Sequence, residues 1–398
     1  LRGRVAIGHN RYSTTGATSL KNVQPLWQCS RLGEMAVALN GNLTNHQSLR
    51  EELKSLGGTF SSTTDTEDIL QLAALSGERT FIDAIILALE KVRGAYSLLA
   101  MSATEVAAVR DPHGFRPLCF GRKGDAYFFA SKTRALDQVE AAYVRDLEPG
   151  EVLHIFDGGR QVDSHFPFSK APLRQCGFEL DYFSMPDSLV FGRDVYVLRK
   201  SLGKRLAIRA SVAADMVIPV PDSGRPGALG YAEQSRIPFE EGLVRNHYVG
   251  RTFIEPKTEF RHFGIRIKFN TLKRFLRGKR IVVVDDSIVR GPTSRKIVAD
   301  LRNAGAREVH FRSTFPPTTH SCFYGIDTPT REELIASSAS VEEIRRFIGA
   351  DSLVYSTPSD FQEIVNEDDV ENQFCTACFT GDYPVPPEYT PGLTQLAI

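Results

Sequence analysis

Two adjacent acids at the end of an apolar run are the residues of this chain best placed to do chemistry. Asp285 and Asp286 follow Ile281-Val282-Val283-Val284 and precede Ser287-Ile288-Val289-Arg290-Gly291-Pro292-Thr293-Ser294. Paired carboxylates can accept hydrogen bonds from a vicinal diol, such as ribose O2 and O3, or help hold a hard cation through oxygen. The turn behind them offers hydroxyls and backbone N–H groups to an anion at a helix N-terminus. A monophosphate suits it, because no Gly-Lys-Ser/Thr follows the glycine as in a Walker loop, and the three spaced glycines of a dinucleotide fingerprint are absent from the run. A second turn, Pro219-Val220-Pro221-Asp222-Ser223-Gly224, offers another anion site. Judged alone, Asn40-Gly41-Asn42 is an ordinary turn between strands. The pair Cys375-Thr376-Ala377-Cys378, with Cys176 and Cys322 far away in sequence, reads either as buried small hydrophobes or as a four-thiolate metal site.

The elements that must position these residues follow from the apolar patterning. The run Ile281–Val284 is short and β-branched, as a central parallel strand buried on both faces should be. A helix with Ile297, Val298, Leu301 and Ala304 on one side follows the turn and stops at Gly305, before a strand around Val309 and Phe311. This βαβ unit puts the acids at the carboxyl edge of a sheet, where ligands bind. Met216-Val217-Ile218 predicts another buried strand, with helices over residues 194–214 and near Ala228, so the second half is α/β with a parallel sheet. From Val5 to about Phe168 the pattern changes to short alternating strands with Asn/Gly turns and two helices, at residues 45–56 and from 66 to 75 onward. That predicts α+β. The proline-containing segment 166–186 is the expected linker, giving domains over 1–168 and 169–385 and a loose tail over 386–398.

A chain of 398 residues with 42% hydrophobic and 24% charged residues can fill two cores. Its 48 basic and 48 acidic residues cancel, which argues against a nucleic-acid surface and makes any phosphate recognition local. No apolar run approaches the ~20 residues that span a bilayer, and no basic-then-apolar leader is visible, so no membrane partner and a cytoplasmic location are expected. Six scattered cysteines fit a reducing compartment, with Cys29 and Cys119, which lack a partner motif, expected in the core.

Taken together the motifs carry a resemblance that runs to about Pro387. Ile281–Ser294 resembles the 5-phosphoribosyl 1-pyrophosphate (PRPP) signature of type I phosphoribosyltransferases, with Pro292 where a threonine is usual, a change expected to weaken a contact to the 5′-phosphate. The turn ending Asp222-Ser223-Gly224, followed by Arg245-Asn246-His247-Tyr248-Val249-Gly250-Arg251-Thr252-Phe253-Ile254, is similar to the amidophosphoribosyltransferase family. The resemblance implies PRPP contacts from Asp222, Ser223, Gly224, Asp285, Asp286, Ser287, Ile288, Val289, Arg290, Gly291 and Thr293. It implies a magnesium ion near Ser223, Asp285 and Asp286, and a lid over residues 251–270 whose Arg266 and Lys268 close over pyrophosphate.

Upstream, His9-Asn10-Arg11-Tyr12-Ser13-Thr14-Thr15-Gly16, Asn40-Gly41-Asn42-Leu43-Thr44-Asn45 and Thr64-Asp65-Thr66-Glu67 resemble, in that order, a class II glutamine amidotransferase domain. Arg11 and Asp65 would then hold the α-carboxylate and α-amine of glutamine, and the Asn40 amide with the Gly41 N–H would form the oxyanion hole. The nucleophile of such domains is an N-terminal cysteine well upstream of the first motif, whereas this chain opens Leu1-Arg2-Gly3-Arg4 and Cys29 is internal. The expectation is an incomplete N-terminal-nucleophile hydrolase sandwich, α+β, followed by an α/β type I phosphoribosyltransferase domain. Such a copy would lack glutaminase activity and retain ammonia-dependent transfer. The contexts of Cys176, Cys322, Cys375 and Cys378 resemble the iron–sulfur branch of the family, which implies a structural [4Fe–4S] cluster. The implied enzyme takes glutamine and PRPP into the first committed step of purine synthesis, as a homotetramer inhibited by purine nucleotides. The alternatives are a non-catalytic PRPP-binding regulator, which would need a DNA-binding motif not found here, and another class II amidotransferase, which would need a different second half.

Overall fold

The computed structural model describes residues 3–11, 19–246, 248, 269–328, 330–366 and 373–388. In the first half, six antiparallel strands lie in the order Leu26–Ser30, Gly33–Leu43, Gly94–Met101, Val106–Arg110, Val152–Phe156 and Gln161–His165. Helices Thr66–Leu75 and Phe81–Lys91 cover one face and share a core with Val37, Leu39, Tyr96, Leu98 and Val109. The second of these helices is an addition to the two expected, although its signals are present. Phe81, Ala84, Ile85, Ala88 and Leu89 recur at helical spacing and are buried, and Thr80 caps the start by accepting from the Asp83 N–H at 3.2 Å. A three-stranded sheet, Ala126–Ala130, Cys119–Lys123 and Ala142–Asp146, closes the other face through Phe120, Leu118 and Leu147 against Ala108 and Leu153.

In the second half, four parallel strands lie in the order Met216–Pro219, Arg280–Asp285, Glu308–Ser313 and Ser352–Tyr355. The valine run serves both faces of this sheet. Val282 and Val284 pack toward helices Val195–Arg209 and Arg225–Ser235, while Ile281 and Val283 pack toward Pro292–Asn303 and Val341–Ile348. All four are fully buried, as β-branched residues at the centre of a parallel sheet should be.

Three expectations need correction. The helix expected to reach residue 214 ends at Arg209, capped at its start by Asp194, because residues after it are spent reaching the strand at Met216. The segment 166–186 is not merely a linker. Gln175–Cys176 pairs in parallel with Phe374–Cys375, and Glu179, Leu180 and Asp181 are fully buried in a single π-helical turn, so prolines bracket a core element here. Cys119 is buried as expected, but Cys29 is exposed on the edge strand, where its alternate-residue position faces away from the core. Among the described residues no helix is long and apolar enough to cross a membrane.

Candidate functional site

Asp285 is the last residue of its strand, and the chain turns immediately beyond it. The Asp286 N–H donates to Asp285 Oδ1 at 3.0 Å, and the carbonyls of the two acids accept from the Thr314 and Phe315 N–H groups at 3.0 and 2.9 Å. These bonds tie the acidic pair to the end of the neighbouring strand, so both side chains are placed by backbone. Gly291, at a φ of 92°, supplies the left-handed turn that starts helix Pro292–Asn303. Pro292 is the first helical residue, where proline fits because an N–H there has no intrahelical acceptor.

The second turn meets the first. A Cβ on Gly224 would sit 2.4 Å from the Val284 carbonyl oxygen, so only glycine lets the Asp222–Gly224 turn approach the end of the valine strand. Ser223 hydrogen-bonds Asp286, whose Oδ1 also accepts from Ser287 Oγ at 2.9 Å, while Asp286 Oδ2 is buried with no hydrogen-bond partner. Asp222 is paired with Arg245. Burial pushes the Asp286 carboxyl above the ordinary carboxylate range, with Ser223, Ser287 and Arg199 pulling it back.

Sequence reasoning missed the group beside this pair. Asp181 is fully buried, its Oδ1 accepts from Thr314 Oγ1 at 3.2 Å, and its Oδ2 also has no hydrogen-bond partner. Burial raises its carboxyl and the neighbouring Asp286 raises it further, against the pull of Arg199. Arg199 is fixed in turn by donating to the Leu180 and Ser184 carbonyls at 2.8 Å. Unpartnered, buried carboxylate oxygens suit a hard cation. Among the described residues no group of three or more His, Cys, Asp or Glu side chains forms a metal cage. Magnesium does not need one, since it is bound through one or two carboxylates with water and substrate phosphate completing the shell.

At the other candidate site, strand Gly33–Leu43 carries Asn40 and Gly41 at its far end, in register with Ser97 and Tyr96. A Cβ on Gly41 would lie 2.0 Å from the Ala95 carbonyl oxygen, which makes glycine obligatory. Asn40 Nδ2 donates to Ser131 Oγ at 3.2 Å, and its Oδ1 accepts from Arg116 Nε at 3.3 Å. Asp65 closes the end of the strand by accepting from the Leu43 N–H at 2.8 Å. Burial pushes the Asp65 carboxyl up, against His46 and the Leu43 N–H, and burial lowers Arg11 against the opposing charge of Asp65. Arg11 and Asp65 thus lie within electrostatic range of each other. The approach to Asp65 is held by Glu67, which accepts from the Ser61 and Ser62 N–H groups at 2.7 and 2.8 Å. Residues 12–16 of the first motif, and Arg266 and Lys268, lie outside the described residues.

Cys176, Cys322, Cys375 and Cys378 line one cavity with Phe115, Phe178 and Tyr324. Burial pushes all four thiols up, Cys176 to about 12, and each of Cys176, Cys375 and Cys378 is raised further by other thiols of the set. Burial therefore favours the neutral thiol at each position, against the pull of Arg116 on Cys176 and Cys322. They line one cavity, and thiolates are the donors that either a zinc ion or an iron–sulfur cluster would require. The loop after Cys322 reaches the strand that carries Asn40 and Gly41: Phe323 O accepts from Asn42 Nδ2 at 3.2 Å, and Tyr324 stacks on Phe115 at 4.2 Å between ring centroids.

Known proteins resemble this chain along most of its length. Residues 1–169 match the family model described as a glutamine amidotransferase domain. The chain is 52% identical over 388 residues to amidophosphoribosyltransferase 1, chloroplastic, of Arabidopsis thaliana, covering 97% of this chain and 68% of that protein. It is 48% identical over 388 residues to the amidophosphoribosyltransferase of Bacillus subtilis, covering 96% of this chain and 81% of that protein. The solved B. subtilis glutamine PRPP amidotransferase, complexed with ADP and GMP, superposes with a TM-score of 0.88 at 47% identity, over 96% of this chain and 83% of that one. About half of its residues shared with these relatives along nearly its whole length, together with a glutamine amidotransferase domain, place this chain in the amidophosphoribosyltransferase family.

Proposed function

We propose that the family reaction, in which glutamine, PRPP and water give 5-phosphoribosylamine, pyrophosphate and glutamate, is divided here between the two sites described. At the first, Arg11 and Asp65 recognise the charged α-substituents of glutamine, and the Asn40 amide and Gly41 N–H meet the oxyanion that develops as its amide is cleaved. At the second, Asp285 and Asp286 hold the ribose diol. The turn Ser287–Thr293 takes the 5′-phosphate at its helix N-terminus, and Asp222, Ser223 and Gly224 take the pyrophosphate. Ammonia attacks C1 as the bond to pyrophosphate breaks, so catalysis rests on positioning and on charge at the leaving group, the role assigned to Arg266 and Lys268.

A magnesium ion held by Ser223, Asp285 and Asp286 would neutralise the leaving pyrophosphate. A [4Fe–4S] cluster on Cys176, Cys322, Cys375 and Cys378 would cross-link the chain without entering the chemistry. Inhibition by purine nucleotides and a homotetramer are part of the same reading; a solved relative bound to ADP and GMP supports the first. Six free cysteines support a reducing compartment, and a cytoplasmic location belongs to the same reading.

The observation that carries the reading is the contact of the two turns at Gly224 and Val284, with Asp286 Oδ2 unpartnered between them. The test is pyrophosphate release from PRPP with ammonia as the nitrogen donor. Release dependent on magnesium is expected, and a folded protein that releases none would sink the assignment of the second site.

A further inference from the structure

Arg116 is among the largest fully buried side chains of the molecule, and it touches Asn40. A guanidinium removed from water is costly unless opposing charge and hydrogen bonds surround it. Here Nη2 pairs with Glu179 Oε2 at 2.8 Å, Nε donates to Asn40 Oδ1 at 3.3 Å, and the Cys176 thiol lies within hydrogen-bond reach. The guanidinium is charged at any accessible pH, and Glu179 supplies the opposing charge.

The contacts close into a ring. Glu179 also pairs with Lys132 at 2.6 Å, Lys132 follows Ser131 in sequence, and Ser131 Oγ accepts from Asn40 Nδ2 at 3.2 Å. Both ends of the Asn40 amide are therefore gripped by one connected set of residues. A guanidinium is donor-only, so the amide atom facing it must be oxygen, and the NH2 group must point the other way. That NH2 carries two protons; Ser131 takes one, and the other is left for an incoming acceptor. An amide free to flip would present oxygen to the oxyanion half of the time and repel it.

We propose that Arg116 is a positioning residue for glutamine cleavage: by holding Asn40 Oδ1 it fixes the Asn40 NH2 as the oxyanion donor. The role rests on the reading of Asn40 as part of the oxyanion hole. It also links that hole to the cysteine cavity, because the same guanidinium lies against Cys176.

Arg116→Lys keeps the charge for Glu179 and removes the planar fork that reaches Asn40. In the full-length enzyme this variant is expected to lower kcat with glutamine about tenfold or more, short of the roughly 10²–10³-fold loss for removing an oxyanion donor outright, with KM for glutamine little changed. Ammonia-dependent turnover, which uses the other site, is the control for folding, and a parallel fall in both activities would reduce Arg116 to a structural residue. Asn40→Ala separates the two levels of the argument. If that variant retains full glutamine turnover, the oxyanion reading fails and Arg116 loses its role with it; if Asn40→Ala is impaired and Arg116→Lys is not, only the present inference fails. The double variant should be no worse than Asn40→Ala, since Arg116 acts through Asn40. A readout independent of activity is the side-chain amide resonance of Asn40 in 15N-asparagine-labelled protein, assigned by its disappearance in Asn40→Ala. It should move or broaden in Arg116→Lys, and an unchanged resonance would overturn the proposal.

Discussion

Gly325 rests directly on Gly41: a Cβ on Gly325 would stand 2.8 Å from the Gly41 Cα. One glycine belongs to the loop after Cys322 and the other to the strand that carries the candidate oxyanion donors. With Asn42 bonded to Phe323 and Asn40 bonded to Arg116, three successive residues of that strand are held by the surroundings of the cysteine cavity.

Gly325→Ala tests this contact. The new methyl must push one backbone off the other at a φ of 97°, a conformation alanine also resists. We expect a loss of about 1–3 kcal/mol in unfolding free energy, as for other overpacked sites. Glutamine-dependent turnover should fall more than ammonia-dependent turnover. Denaturant titration and the ratio of the two activities read the outcome, and an unchanged ratio with full stability would mean the two glycines do not meet.

Asp286→Asn should separate stability from activity. Burial raises the Asp286 carboxyl, so its charged form is unfavourable in the folded protein and the isosteric neutral amide relieves that cost. The melting temperature should hold or rise, while pyrophosphate release with ammonia falls about 100-fold for want of a carboxylate at the developing charge. A variant that melts normally and keeps its activity would remove Asp286 from the site.

Glu179 predicts the acid limit of the fold. Burial alone would raise its carboxyl, but Arg116, Lys132 and Ser184 hold it down at about 2. Because the folded value lies below the unfolded one, the stabilisation is complete above the ordinary glutamate range near 4.5 and is lost as pH falls from there toward 2. Glu179→Gln should flatten the stability profile in that window and cost about 3–5 kcal/mol at neutral pH, the usual result of stranding a buried partner charge. Urea unfolding at stepped pH measures both, and a wild-type profile with no slope between pH 4.5 and 2 counts against the ion pair.

The cysteine set makes a compositional prediction. Protein purified without oxygen should carry iron and inorganic sulfide in equal amounts. Cys176→Ser or Cys378→Ser should lose both and melt earlier, because the three remaining thiols would be left without a common partner. Iron-free protein of wild-type stability would leave the cavity a plain core.

Local features of the fold are legible in the sequence, and contacts across it are not. Ile281–Val284 announces a doubly buried strand by its own composition, and Asp285, Asp286 and Gly291 follow within a few residues, so the acidic turn is placed by its immediate neighbours alone. Helix Phe81–Lys91 has both the spacing and the Thr80 cap of a helix, but a dense run of strand signals beside it masks them. Asp181, Arg116 and Glu179 give no such signal. A charged side chain in sequence reads as surface, and only the partner brought in by folding, Asp286 for Asp181 or Glu179 for Arg116, shows that it is buried. The same limit hides residues 175–183, where prolines on either side suggest a linker and the strand partner lies at Phe374–Cys375.

That last pairing has a consequence for how the molecule is made. Gln175–Cys176 is synthesised early, and the strand that completes it, Phe374–Cys375, follows about 200 residues later, roughly 10–40 s at ordinary translation rates. Throughout that interval Cys176 is an early residue waiting for a late one. Closure of the cysteine cavity thus waits on translation of the Phe374–Cys375 strand, a checkpoint that a chain interrupted before it cannot pass.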